Sequence, residues 1–167
     1  MSIVYLGLGS NIGDREAMLR SALEELDRPD LRLLRASGIY ETEPLGLRDQ
    51  RWFLNIAAEF DCELFPRQLL QRTQRTERQY GRLRTLPNGP RTLDIDILLY
   101  GNSVVKSEAL EIPHPRFRER RFVLAPLVEL NPDLRDPVTG KTVDAMLAGL
   151  QGQTVKKIGT IIGLSDE

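Results

Sequence analysis

Residues 89–101, "GPRTLDIDILLYG", decide how the rest of the chain reads. Ile95, Ile97, Leu98, Leu99 and Tyr100 give this run the composition of a strand that leaves water, yet Asp94 and Asp96 sit among them. Side chains at i and i+2 of a strand share a face, so the two carboxylates project together. Taking a carboxylate out of water is costly unless it is paired or bound to a metal. The plain reading is a pair of acids on a half-exposed strand. The sharper one is a hard-oxygen site for Mg²⁺, which takes one or two carboxylates plus substrate phosphates.

The neighbouring sequence favours the second reading. Residues 82–91, "RLRTLPNGPR", carry three arginines and no acid, and residues 116–121, "RFRERR", carry four arginines and one glutamate. Either run alone reads as a solvated surface. Flanking an acidic strand, they are placed to neutralise charge on phosphate oxygens.

Working outward, "SIVYLGLG" reads as a first strand, and Asp14 caps a helix reaching about Leu26 whose apolar residues recur at helical spacing. "LRLLRASGIYET" and "WFLNIAAEFDCEL" read as second and third strands joined by the loop "EPLGLRDQR". Pro66 opens a second helix to about Tyr80, ended by Gly81. "TLDIDILLYG" is the fourth strand, followed by a turn at Gly101-Asn102 and a short "VVKS" strand. From "IPHPRF" through "FVLAPLVEL" the pattern reads as loop, helix turns and apolar packing. A helix at about 143–150 and a short "TVKKIG" strand close the chain. The order βαββαβ predicts an α+β, ferredoxin-like core: an antiparallel sheet flanked by helices, with a C-terminal extension. We expect one domain over residues 1–167.

Composition narrows the function. Hydrophobic residues at 41% and charged residues at 28% fit a globular protein, and a net charge of −1 argues against a protein that coats nucleic acid. No apolar run reaches a membrane span and "MSIVYLGLGS" lacks a signal peptide's features, so the expected location is cytoplasmic, with no membrane partner. One cysteine, Cys62, and one histidine, His114, leave no room for a disulfide framework or a Cys/His zinc site, so any metal must be held by oxygen.

"GLGSNIGD" is G-x-G-x-x-x-G with no G-K-[ST] after it, which fits a strand-to-helix turn better than a phosphate loop, with Ser10, Asn11 and the amides there kept as candidates for lining a site. Trp52, Phe53 and Phe122 read by default as core aromatics, and His114 as a structural or surface group. Asn55, an amide inside the apolar run "FLNIAA", needs a partner, and a heterocycle with a donor–acceptor edge would supply one.

Taken in order, "LGSNIGD", "YETEPLG", "FLNIA", "GRLR", "GPRTLDIDILLYG" and "IPHPRFRERRFVLAPL" closely resemble the 6-hydroxymethyl-7,8-dihydropterin pyrophosphokinase family over about residues 3 to 130. The resemblance implies transfer of pyrophosphate from ATP to the pterin hydroxymethyl group, giving AMP, with Mg²⁺ (two ions) held by Asp94 and Asp96. It further implies pterin contacts from Thr42, Pro44, Leu45, Phe53, Asn55 and Phe122, the two phenylalanines sandwiching the ring and Asn55 reading its edge. Gln74, Glu77, Arg84, His114 and Arg120 match the nucleotide side. Arg82 and Arg91 match catalytic arginines that engage the phosphates. The implied partners are ATP and the dihydropterin, with no nucleic acid; a monomer is expected, a dimer being the alternative. The chain departs from the family pattern at Pro87 and Asn88, where many members carry a basic residue and often a tryptophan, and at Ala109, which replaces a basic residue. Other readings of the same topology are a two-metal nucleotidyl transferase or nuclease, which would want a third carboxylate, and an RRM-type RNA binder, which would want stacked aromatics where this strand presents aspartates.

Overall fold

The first strand, β1 (Ser2–Ser10), sits inside the sheet, and its neighbours set the architecture. A computed structural model of the chain describes residues 1–11, 13–43, 52–80 and 93–161. β1 pairs antiparallel with β4 (Phe53–Cys62) on one side and with β5 (Asp94–Tyr100) on the other. Beyond β4 lie β2 (Leu31–Ala36) and β3 (Ile39–Thr42), and β8 (Val155–Gly159) adds to β3, so the main path runs β5-β1-β4-β3-β8. The helices between these strands are α1 (Arg15–Leu26), capped by the Asp14 carboxylate on Ala17 N at 3.1 Å, and α2 (Pro66–Gln79). This is the expected ferredoxin-like order, with a strand added at its edge by the C-terminal extension.

Strand alternation divides the sheet into two faces. On one, Val4, Leu6, Leu8, Ile56, Phe60, Ile95 and Ile97 pack against Leu19 and Leu23 of α1 and Leu69 of α2. On the other, Tyr5, Ala57 and Leu98 pack against Val123, Leu124 and Leu127 of α3 (Arg121–Leu130) and Val143 of α4 (Val143–Ala148). The second face is only partly roofed by α3, and a cavity opens on the part left uncovered.

Four sequence expectations change. The second strand is two: at Ser37 the hydroxyl accepts from Ala57 N (2.9 Å) while Ser37 N donates to Ala57 O (2.8 Å), and Gly38 N turns away to the Glu129 carboxylate at 3.0 and 3.1 Å. A side chain has no room at Gly38, since a Cβ there would lie 2.4 Å from Lys157 Cε and 2.8 Å from Gly159 O. The segment read as loop and helix turns holds a ten-residue helix, α3, despite the internal Pro126. That proline removes one intrahelical donor, but Val123, Leu124, Leu127 and Leu130 form a buried stripe that holds the helix on the sheet. The short strand after Gly101 is β6 (Val105–Lys106), and it pairs with a strand not read from sequence, β7 (Glu111–Ile112). Trp52 is 40% exposed rather than core.

Candidate active site

The acid pair opens onto the unroofed part of the second face. Asp94 lies opposite Gly9 and Asp96 opposite Gly7 on β1, and those glycines lie in turn opposite Asn55 and Ala57 on β4. Ile95 and Ile97 between the acids are buried, whereas both aspartates are half-buried, so strand alternation relieves much of the desolvation that an apolar run would impose. The glycines are what make space. A Cβ on Gly9 would stand 2.7 Å from Asn55 Oδ1, and one on Gly7 would stand 3.3 Å from Leu98 Cδ1. The sequence reading placed "GLG" at the end of the first strand, leading into a strand-to-helix turn. It is the floor of a site, and the signal was glycine at i and i+2 inside a strand that pairs with the D-x-D strand.

A cavity of about 160 Å³ rests on this floor, and Thr42, Phe53, Asn55, Asp94, Asp96, Arg120 and Phe122 all line it. Asn55 is 8% exposed and donates from Nδ2 to Thr42 Oγ1 at 2.8 Å, which leaves its Oδ1 as an acceptor over Gly9. The Arg120 guanidinium lies 5.4 Å from the centroid of the Phe122 ring. Glu43 and Gln153, which sequence reasoning did not name, complete the polar part of the wall.

A second, more open cavity of about 340 Å³ lies beyond the acids, between α2 and the β6–β7 hairpin, lined by Leu70, Ile95, Ile97, the segment 107–111, His114 and again Asp96. His114 Nδ1 accepts from Arg116 N at 3.2 Å, so the ring proton resides on Nε2, which lies 3.8 Å from Asp96 Oδ1. Burial, and then the nearby Arg120 charge, hold the imidazole below the ordinary histidine range and keep it neutral. Glu77 is buried on α2, and its carboxylate accepts from Ile95 N at 2.8 Å, satisfying a donor that β1 does not reach. Gln74 is exposed on α2, one helical turn before Glu77. Ala109 lines the second cavity. Ser10 and Asn11 are buried at the end of β1, and neither lines either cavity. Pro44, Leu45, Arg82, Arg84 and Arg91, with Pro87 and Asn88, lie outside the described residues.

No group of three or more metal-ligating side chains occurs among the described residues. The donor set offered is two carboxylates of one strand face, half-buried over glycines. That set fits a hard cation that completes its shell with water and ligand oxygens, and does not fit a fully protein-enclosed metal.

A ferredoxin-like sheet that opens an acid pair onto cavities on either side of one strand defines the class: an α+β domain with two concave surfaces meeting at Asp96. The chain belongs to the 7,8-dihydro-6-hydroxymethylpterin-pyrophosphokinase (HPPK) family, which it matches over residues 5–132. The 2-amino-4-hydroxy-6-hydroxymethyldihydropteridine pyrophosphokinase of Methylorubrum extorquens is 45% identical over 159 residues, covering 95% of this chain and 99% of that protein. The folic acid synthesis protein fol1 of Pneumocystis carinii is 37% identical over 155 residues; that match takes in 93% of this chain, which spans only 21% of that longer protein. The HPPK-DHPS of Plasmodium falciparum, solved with pterin and p-hydroxybenzoate, superposes with a TM-score of 0.68 at 15% identity, over 88% of this chain and 41% of that one. At that identity the likeness is one of fold.

Proposed function

We propose that this site carries out the reaction named for its family: transfer of pyrophosphate from ATP to the hydroxymethyl group of 6-hydroxymethyl-7,8-dihydropterin, releasing AMP, in the synthesis of folate. The observation that carries the assignment is that Asp96 lines both cavities, so ligands in the two meet at the acid pair. The first cavity suits the pterin. It offers two phenylalanines to flank a flat ring and the Asn55 amide oxygen to accept from the ring's N–H edge. The second suits the nucleotide, with Leu70, Ile95 and Ile97 as an apolar wall and the neutral His114 as a donor beside Asp96.

Asp94 and Asp96 would hold Mg²⁺, which when bound neutralises phosphate charge and makes the attacking hydroxyl more acidic. The chain's own residues do the remainder. The cavity walls hold the hydroxymethyl oxygen toward the acid pair, so that the new O–P bond forms at the β-phosphorus as its bond to the AMP oxygen breaks. Arg120, half-buried beside Phe122, places a fixed positive charge next to the phosphates without reorganising water. Arg82 and Arg91 are proposed to add further charge, as their match to the family pattern implies. The two packed layers share one sheet, which supports a single catalytic domain. No described helix is long and apolar enough to cross a membrane.

A coupled assay of AMP release with ATP, Mg²⁺ and 6-hydroxymethyl-7,8-dihydropterin tests the assignment. AMP formation that requires all three is the expected result, and AMP release indifferent to the pterin would overturn it.

A further inference from the structure

The family match ends at residue 132, yet the first cavity is lined by a residue 21 positions further on, Gln153. This residue is held from two directions, once through its side chain and once through its main chain. Its Nε2 donates to Glu43 O at 3.1 Å, and its main-chain carbonyl accepts from Arg121 Nη1 at 2.9 Å. The next residue continues the grip on Glu43: Thr154 N donates to Glu43 Oε1 at 3.0 Å, and Glu43 N donates to Thr154 O at 3.5 Å. Glu43 itself lines the cavity, and Arg121 lies between two residues that also line it, Arg120 and Phe122. The Arg121 Nε is buried and finds no hydrogen-bond partner among the described residues, so the guanidinium is oriented through Nη1 on Gln153.

We propose that Gln153 is a specificity-determining residue of the pterin cavity, presented by the C-terminal segment and fixed there by Arg121 and Glu43. The chemistry follows from what each amide has already used. Nε2 of Gln153 is committed to the Glu43 carbonyl, and Nδ2 of Asn55 is committed to Thr42. Each amide nitrogen has used one of its two N–H groups, so each side chain keeps its amide oxygen and one N–H for a ligand, and the Glu43 carboxylate tips this wall toward acceptor character. A wall with two amide oxygens rewards a ligand edge rich in N–H donors, such as an aminopyrimidinone with a reduced, N–H-bearing second ring. It penalises a ligand that presents lone pairs there, because two acceptors then face each other unpaired. The C-terminal segment is thus part of the substrate site as well as an added strand of the sheet.

This inference rests on the assignment of the first cavity to the pterin, and the experiment separates the two. Gln153→Ala, Arg121→Ala, Arg121→Lys and Asn55→Ala are compared with the unaltered enzyme by steady-state kinetics in each substrate and by thermal melting. Gln153→Ala is expected to raise the pterin KM about tenfold while the ATP KM stays within about twofold and melting is little changed, the signature of lost binding to one substrate. Arg121→Ala should move the pterin KM the same way by a smaller factor, and Arg121→Lys, which keeps a donor for the Gln153 carbonyl, should restore part of it. If Asn55→Ala raises the pterin KM and Gln153→Ala leaves it unchanged, the cavity assignment stands and the role of Gln153 is overturned. If Gln153→Ala raises both KM values together, or lowers the melting temperature in step with activity, the segment is only structural and the proposal is again overturned. If neither variant moves the pterin KM, the cavity assignment fails and takes Gln153 with it.

Discussion

Asn55 condenses the chemistry of the first cavity into one side chain. It is buried, its amide nitrogen is bonded to Thr42, and its oxygen overhangs the space left by the missing side chain of Gly9. Two substitutions therefore test one geometry. Asn55→Ala leaves the buried N–H groups of the pterin without an acceptor, a loss of about 1–3 kcal/mol, so the pterin KM should rise well beyond any change for ATP. Equal weakening of both substrates would make Asn55 a structural residue. Gly9→Ala reaches the same end from the floor. Its new methyl would stand 2.7 Å from Asn55 Oδ1, and the amide, pinned by Thr42, must swing out of register. We expect a folded protein with a raised pterin KM and an unchanged ATP KM. A Gly9→Ala variant with wild-type pterin kinetics would mean that the amide oxygen does not read the ligand.

Among elements, the turn carrying the basic cluster is anchored by a buried acid that lines neither cavity. The short 3₁₀ turn Phe117–Glu119 lies between His114 and Arg120, and its Arg118 grips Asp136 with Nε and with Nη2, the latter at 3.0 Å. Asp136 is fully buried and also accepts from Val138 N and Thr139 Oγ1, each at 2.9 Å. Burial by itself would raise its pKa, but Arg118 and these two donors outweigh it and pull the group from 3.8 to about 2. The unfolded chain takes up the proton at the higher pH. The stabilisation is therefore complete above the unfolded pKa of 3.8 and is lost as pH falls from there toward about 2. Its size at neutral pH is about 2 kcal/mol. Urea unfolding between pH 5 and pH 2 should show wild type losing stability across that window. Asp136→Asn should be less stable at neutral pH and flatter below pH 4. An equally steep acid loss in the variant would assign the acid sensitivity to other carboxylates.

For the whole molecule, the decisive fact is that two cavities built from different elements share one strand. The first cavity draws on β1, β3, β4, α3 and the C-terminal segment, the second on α2 and the β6–β7 hairpin, and both reach Asp96 on β5. Asp94→Asn and Asp96→Asn should therefore nearly abolish turnover without unfolding the protein. Without a cation, two acids on one strand face repel, so the apo variants should melt at or above the wild-type temperature. Loss of activity alone would not distinguish lost metal from lost fold. A ligand that binds only the native state stabilises it by RT ln(1 + [L]/Kd). Melting with Mg²⁺ and a non-hydrolysable ATP analogue should thus raise the wild-type midpoint strongly and the variants' midpoints much less. A variant with the full ligand-induced shift and near-normal turnover would remove the metal role from these aspartates.

The sequence by itself determined the elements with local causes. Asp14 capping α1, Pro66 opening α2 and the period-two alternation around Asp94 and Asp96 all act within a few residues, and each is where the sequence predicted it. The acid pair, Asn55 and Phe122 were also legible, because a polar group in an apolar run, or an ordered set of family motifs, marks a residue without reference to its neighbours in space. Tertiary structure decided the rest. Only the pairing of β1 with β4 and β5 makes Gly7 and Gly9, read as the glycine-rich end of a strand, into the floor of a cavity. The break at Ser37 and Gly38 exists because Glu129 on α3 and Lys157 on β8 approach that point, and neither is near it in sequence. α3 holds its helix through Pro126 because burial of its apolar stripe outweighs one missing hydrogen bond. Gln153 and Glu43, 110 positions apart, meet in one wall because β8 pairs with β3. Local chemistry is written along the chain, whereas a cavity is a relation between distant segments, and it comes into being only when the sheet closes their register.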